Sequence, residues 1–298
     1  MASATTTWHH PEIAAWEARG AYHDLLGRRV FAVDVPAGTG ERAEPLLVIH
    51  GYPTSSFDFA GVVDRLAERR RVVLVDLLGH GLSAKPDVAY TVALQADVVA
   101  ALTAALGLHR LALVTHDMGD TVGGELLARQ REGTWPVDVT RRVVTNGSIY
   151  IGMANLTAGQ QLLLSLPDER LDESLAPSAG DLQAALAATL APAPRAIDMA
   201  AHAELVVHGG GNRLLARTVR YIEERRANER RFTGAIETRA SPLSIVWGPA
   251  DPIAVAAMAE RLHGERPDAT VHWVGGAGHY PQVEDPSAWL AAVQAALT

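Results

Sequence analysis

Arg110-Leu111-Ala112-Leu113-Val114-Thr115-His116-Asp117-Met118-Gly119-Asp120 is an apolar run, a sharp turn built of small and polar residues, and the start of a segment of helical length that continues to Arg131. This is the grammar of a buried strand, an elbow and a helix, which together hold one side chain up at the carboxyl end of a sheet. The elbow residue is Asp117, a carboxylate where a serine hydroxyl is the more familiar nucleophile. An aspartate side chain has an ordinary pKa of about 3.9, so it is ionised at neutral pH and needs no base to act. Its natural target is an sp3 carbon carrying a strained or good leaving group.

Working outward, residues 46–50, 71–76 and 142–145 repeat the short apolar pattern of 111–115 and read as strands buried on both faces. Segments 57–70, 91–106 and 118–131 between them have helical length. Strand and helix alternation of this kind predicts a parallel sheet with helices on both sides. Ahead of it, residues 11–19 read as a short helix, and 21–26 and 28–35, joined at Gly27, as a hairpin. From residue 148 to 240 the alternation stops, and the chain is Ala-, Leu- and Arg-rich, broken by Pro167, Pro177, Pro192, Pro194 and Gly209-Gly210-Gly211. It resumes with a strand at 243–247, a helix at 253–263, a strand at 270–274 and a last helix at 286–297. The expected organisation is therefore an α/β core made of residues 1–147 and 241–298, with a helical cap, 148–240, inserted in it. The Arg-rich run 223–231 reads as a solvated helix face.

Composition narrows the chemistry. At 298 residues the chain can bury a core without metal or disulfide, and with no cysteine it has no thiol catalysis, disulfide or Cys-based zinc site. The 34 acidic against 26 basic residues, a net charge of −8, give no electrostatic reason to expect nucleic acid or an anionic membrane. A small-molecule substrate is expected, with no cofactor and no metal. Residues 1–10 lack a leader pattern and no segment is a continuous apolar span, so a cytoplasmic location is expected. Lys85 is the sole lysine among many arginines, and alanine is abundant, as in GC-rich bacterial genomes. Nothing here specifies an oligomeric state.

Three residues at strand ends belong together: Asp117, Asp251 in Gly248-Pro249-Ala250-Asp251, and His279 in Gly275-Gly276-Ala277-Gly278-His279. Ligands of open α/β sheets bind outside the carboxyl ends of strands, so the three are expected to converge on one crevice. Singly, each has a bland reading. Asp117 could cap the helix that follows it, Asp251-Pro252 has ordinary N-cap chemistry, and a histidine after a Gly-rich loop is often structural. Their joint order, nucleophile then acid then histidine, favours the catalytic reading. His50-Gly51-Tyr52-Pro53 follows the strand at 46–50, and the main-chain N–H groups of Tyr52 and Met118 are the expected oxyanion hole. His50 and His116 read as structural braces, and Asp76-Leu77-Leu78-Gly79-His80-Gly81-Leu82-Ser83 as a tight glycine turn.

These motifs resemble the α/β-hydrolases of the epoxide hydrolase and haloalkane dehalogenase branch. The stretches His50-Gly51-Tyr52-Pro53-Thr54-Ser55-Ser56, His116-Asp117-Met118-Gly119-Asp120, Tyr221-Ile222 with its basic run, and His279-Tyr280-Pro281-Gln282-Val283-Glu284-Asp285-Pro286 are similar to mesoderm-specific transcript proteins and their bacterial relatives. The resemblance runs from about residue 16 to the C-terminus and implies the α/β-hydrolase fold. It departs from the dehalogenases, which would hold a halide with indole or amide donors, because Met118 and Tyr52 offer neither. Fluoroacetate dehalogenases would want arginines right after the nucleophile, and none is present. Epoxide hydrolases protonate the opening ring with cap tyrosines. Tyr221 matches the later of these, and Tyr150, displaced to the start of the cap, is the substitute expected for the earlier one as a substrate-binding group.

The implied activity is epoxide hydrolysis to a vicinal diol through an alkyl ester of Asp117. Tyr221 would donate the proton to the departing oxygen, and His279, oriented by Asp251, would activate the water that cleaves the ester. Ester substrates are disfavoured, because a carboxylate attacking an ester gives a mixed anhydride that the expelled alkoxide reverses. The alternatives are haloalkane dehalogenation by the same residues and a non-catalytic relative that binds a ligand in the cap cleft.

Overall fold

The computed structural model describes residues 7–38, 43–192 and 197–298; the expectations for the first six residues and for Pro194 lie outside the described residues. Among the described residues, eight strands form one sheet: β1 (Gly20–Leu25), β2 (Arg28–Val35), β3 (Leu46–Ile49), β4 (Val72–Val75), β5 (Arg110–His116), β6 (Asp138–Thr145), β7 (Leu243–Trp247) and β8 (Thr270–Trp273). Their spatial order is β1-β2-β4-β3-β5-β6-β7-β8. Strand β2 runs antiparallel to β1 and β4, and every other pair is parallel.

Side chains alternate between the faces of a strand, and here both faces are dry. Leu47, Ile49, Val73, Val75, Leu111 and Leu113 join one apolar core, whereas Leu46, Val48, Val72, Leu74, Ala112 and Val114 join the other. The first core is closed by α3 (Val92–Ala105) and α4 (Met118–Glu132), through residues such as Val98, Leu102, Val122 and Leu126. Helix α1 (Pro11–Arg19), α2 (Val63–Ala67) and a C-terminal helix, 286–296, close the second with Ile13, Trp16, Leu66, Trp289 and Val293. Each fully buried aliphatic side chain is worth about 1.5–3 kcal/mol of transfer free energy.

The hairpin forms as expected, through Leu26 at φ 54° and Gly27 at φ 68°. Two successive positive φ values match the right-handed twist of the flanking strands. Segment 57–70 does not form one helix. A 3-10 turn, Ser56–Phe59, precedes α2, because Asp76 takes the N–H and hydroxyl of Ser56 at 2.8 and 2.5 Å and turns the chain inward. Between β6 and β7 the regular structure among the described residues is helical: α5 (Ala158–Ser165), α6 (Ala179–Ala187), α7 (Ala200–Val207), α8 (Leu215–Thr218) and α9 (Tyr221–Thr238), with two 3-10 turns. The chain then closes with α10 (Ala256–Glu265), α11 (Pro281–Glu284) and α12 (Pro286–Ala296). No described helix is long and apolar enough to cross a membrane.

Helix α9 packs along α4, where Gly124 leaves room for the main chain of Phe232; a Cβ at Gly124 would lie 2.6 Å from that carbonyl oxygen. The basic run 223–231 is only partly the solvated face expected of it. Arg226 and Arg230 are exposed, but Arg231 bridges Glu125 and Glu132 of α4, both at 2.6 Å, and Arg225 is buried. The reason is the α4 contact, which turns one side of the run inward.

Candidate active site

Strand β5 lies at the middle of the sheet, so its carboxyl end delivers Asp117 to the centre of the crevice. Asp117 sits at φ 48°, ψ −114°. A non-glycine residue held in such a region costs about 1–3 kcal/mol and persists only where its surroundings impose it. Two glycines impose it here. A Cβ on Gly119 would fall against the main-chain oxygens of Ile49 and His50, the latter at 2.8 Å, and one on Gly51 would lie 2.7 Å from the Asp117 Cβ. The carboxylate makes no cap bond to α4, so the helix-capping reading fails. Instead its Oδ2 accepts the N–H of Tyr52 at 2.9 Å.

Asp251 uses its two oxygens for different tasks. Oδ1 accepts the N–H groups of Ile253 and Ala254 at 2.7 and 3.0 Å, which is the ordinary turn chemistry and is why α10 starts at Ala256 rather than residue 253. Oδ2 accepts Nδ1–H of His279 at 2.8 Å and the side-chain amide of Asn146 at 2.8 Å. Both members of the pair are buried. Burial works to lower the His279 pKa, but Asp251 and then Asp117 outweigh it and hold the imidazole up at about 9.

The loop carrying His279 is tied on both sides. Glu284 accepts the N–H of Gly278 and of Tyr280, each at 2.9 Å, and also that of Ala191 at 2.7 Å. The His279 N–H itself donates to Thr189 O at 3.1 Å. His116 is a brace, as expected: its Nε2–H donates to His279 O at 2.8 Å. Burial and the neighbouring His279 press its pKa down to about 4, keeping it neutral. His50 is held likewise, donating through Nδ1 to Gly51 O and accepting the Leu77 N–H at Nε2, at 2.7 and 3.0 Å. The glycine turn is structural too, with Gly79 and Gly81 at φ 83° and 47° around Asp76.

Met118 opens α4, so its N–H has no carbonyl one turn back within the helix and is free to serve another acceptor. Tyr221, the first residue of α9, is buried with its ring 5.7 Å from that of Tyr52. Burial and then the Asp117 carboxylate raise both phenols above their usual range, Tyr221 well above it. Tyr150 does not face this crevice. Its hydroxyl donates to Glu237 at 2.8 Å and its ring carries the guanidinium of Arg261 at 3.9 Å, a packing role in place of the expected substrate contact.

A cavity of about 310 Å³ ends against Tyr52, His279 and Tyr280, with Leu-rich walls from α5, α6 and the loops around them. Asp117 and Tyr221 are not on that wall. They stand next to it, Asp117 bonded to the Tyr52 main chain and Tyr221 packed at a tilt against the Tyr52 ring.

Two site residues escaped the sequence reading. Asn146, at φ 44° beyond the end of β6, steadies Asp251; the Asn-Gly pair at a strand end was the available signal. Arg225 reaches from α9 to the elbow, donating to Thr121 Oγ1, to Ser148 O at 2.7 Å and to Asp117 O at 3.3 Å. Only its place four residues after Tyr221, on the same helix face, hinted at this.

The sequence profile described as "Alpha/beta hydrolase family" matches residues 46–293. The chain belongs to that family. This α/β-hydrolase is 35% identical over 285 residues to the hydrolase LipZ of Mycobacterium tuberculosis, covering 95% of the chain and 96% of LipZ. It is 31% identical to the mesoderm-specific transcript protein of Mus musculus, covering 94% and 86%. The structure superposes on haloalkane dehalogenase DbeA from Bradyrhizobium elkani with a TM-score of 0.71 at 22% identity, covering 93% and 99%, a likeness of fold. The expected fold and the similarity to mesoderm-specific transcript proteins both hold.

Proposed function

We propose that this α/β-hydrolase opens epoxides to vicinal diols through an ester of Asp117, beneath a helical cap formed by residues 148–240. The observation that carries the reading is the 2.9 Å bond from the Tyr52 N–H to Asp117 Oδ2. With Oδ2 held, Oδ1 is the oxygen that attacks. Oδ2 then becomes the ester carbonyl oxygen, already placed on the donor that must receive the oxyanion of the second step.

In the first step Asp117 Oδ1 forms a bond to an epoxide carbon, the ring C–O bond breaks, and Tyr221 gives its proton to the departing oxygen. Tyr52, beside Tyr221 and on the cavity wall, takes the second phenol role expected of Tyr150. A normal phenol lies about 5.7 units below water, a driving force of roughly 8 kcal/mol. The raised Tyr221 pKa narrows that gap in the resting site, but the Asp117 part of the elevation vanishes as the carboxylate becomes a neutral ester.

In the second step His279 takes a proton from water, which attacks Cγ of the ester. The oxyanion on Oδ2 is received by the Tyr52 and Met118 N–H groups. Collapse breaks the ester C–O bond, the departing alkoxide takes the proton from His279 to give the diol, and the proton of the regenerated Asp117 carboxyl returns to the Tyr221 phenolate. Esterification also removes Asp117, one of the three anions, with Asp251 and Glu284, that hold the imidazole at about 9. Its pKa falls when it must act as a base. Halide displacement by the same carboxylate finds less support, since none of the residues lining the cavity is a tryptophan. A purely binding role leaves the His279–Asp251 pair and the strained elbow without purpose.

The test is intact-protein mass spectrometry of His279→Gln incubated with panels of epoxides and alkyl halides. An adduct of the full epoxide mass on the peptide holding Asp117 is expected. Substrate consumption without any adduct, or an adduct from halides alone, overturns the proposal.

A further inference from the structure

We infer that the substrate carries a long hydrocarbon chain with no charged or strongly polar group along it, lying in the leucine-lined cavity with its reactive carbon at the Tyr52–His279 end. The reactive group rests on the epoxide reading above; the chain rests on the cavity walls.

Away from its inner end the cavity is walled by leucines that include Leu162, Leu166, Leu175, Leu182, Leu186 and Leu215, and by no lysine or arginine. Side-chain oxygens along it are already engaged in helix capping and turn bonds. Thr157 and Gln160 close a capping box on α5, with Gln160 N to Thr157 Oγ1 at 3.1 Å and Thr157 N to Gln160 Oε1 at 2.9 Å. Asp181 does the same for α6, accepting the Ser178 N–H and hydroxyl at 2.9 and 2.7 Å. Thr189 donates to Leu186 O at 2.7 Å. Along the walls away from His279, a carboxylate or phosphate on the substrate chain would find no cation, and a buried charge without a partner is strongly disfavoured. Methylene groups, in contrast, gain from every wall.

The mouth has the same character. Leu162 and Leu175 both line the cavity, yet are 62% and 64% exposed. Isolated exposed leucines mean little, but two on the wall of one apolar cavity give a hydrocarbon chain an apolar path from solvent to the interior.

The experiment is kcat/KM of the wild-type enzyme for unbranched terminal epoxyalkanes of four to twelve carbons, with displacement of a dansyl-alkyl probe by n-alkan-1-ols of the same lengths. Each added methylene should raise kcat/KM and alcohol affinity about fourfold until the cavity is filled. A medium-length epoxy acid should be used at least about tenfold less well than its methyl ester. Leu162→Asp with Leu175→Asp, at exposed positions where folding is spared, should lower kcat/KM for the longest chains by a much larger factor than for the shortest. Epoxide turnover with no chain-length dependence, or a preference for the free acid, overturns this inference and leaves the chemistry standing. Graded alcohol binding without turnover of any epoxide does the reverse.

Discussion

The guanidinium of Arg225 donates to the main-chain carbonyl of Asp117 at 3.3 Å, and that carbonyl shares its peptide unit with the N–H of Met118. The Asp120 N–H adds a second bond to the same oxygen at 3.0 Å. Hydrogen bonds accepted by a carbonyl polarise the amide and make its N–H a better donor. Arg225 therefore strengthens one of the two proposed oxyanion donors from behind, without touching substrate. It also ties α9, which carries Tyr221, to the elbow.

Arg225→Met is expected to lower both stability and turnover. The side chain is 1% exposed, and its removal strands Thr121 and Ser148 O. Groups left unsatisfied cost about 1–3 kcal/mol each, so a loss of roughly 3 kcal/mol in urea unfolding is expected. In the folded fraction, kcat for diol formation should fall by about tenfold, one oxyanion donor being weakened rather than removed. Arg225→Lys should recover only part, because an ammonium cannot span three acceptors as a planar fork does. Lost stability with unchanged kcat would reduce Arg225 to a structural tie.

Stability should peak close to neutral pH. The folded pKa of His279 is about 9 against about 6.5 unfolded, so its contribution is complete below 6.5 and fades as pH rises towards 9. Between pH 6.5 and 8 this amounts to roughly 2 kcal/mol at about 1.4 per unit. Lys85, lowered to about 8 by burial, acts in the opposite sense only above that pH. On the acid side His80, His116 and His202 are held down at about 3, 4 and 4, chiefly by burial, so the unfolded chain takes up protons first and stability falls below 6.5. Denaturation midpoints should show the alkaline decline in wild type and lose it in His279→Gln. An identical decline in both would assign it to other groups.

What the sequence made legible follows the range of the forces involved. The elbow was readable because an apolar run, a turn and a helix are local, and Asp251 and His279 because strand ends converge by topology. Short continuous apolar runs marked strands buried on both faces, and so a core on either side of the sheet, without any knowledge of partners. Asn146 and Arg225 were hidden because their partners, Asp251 and Asp117, lie 105 and 108 residues away in the chain. Tyr150 was misplaced for the same reason. Its direction is set by Glu237, 87 residues on, and no local pattern records that.

Tyr221→Phe should separate the two candidate chemistries. Burial and then Asp117 raise the phenol well above its ordinary range, so it keeps its proton for donation at neutral pH. Loss of a general acid typically costs at least about a hundredfold, and epoxide opening should slow by that order. A halide leaves without a proton, so any alkylation by an alkyl bromide should proceed unchanged. Stopped-flow alkylation of the His279→Gln background with each class reads both, and equal slowing contradicts the proton-donor role.

Two glycine-to-alanine changes should move stability in opposite directions. Gly119 lies in the first turn of α4, where a Cβ would press on the main-chain oxygens of Ile49 and His50, groups fixed in and just beyond β3. Neither can yield without shifting the sheet or the helix start, so Gly119→Ala should cost about 1–3 kcal/mol, as overpacking does. The displaced helix start carries the Met118 N–H, so turnover should fall with it. Gly234 sits within α9 with nothing inside 4 Å of the same added atom. There alanine removes only backbone freedom, and Gly234→Ala should stabilise by about 1 kcal/mol with kcat unaltered. Thermal unfolding of the two variants beside wild type decides the point: a tolerated Gly119→Ala would mean that the close approach of α4 to the end of β3 does not hold the strained Asp117 in place.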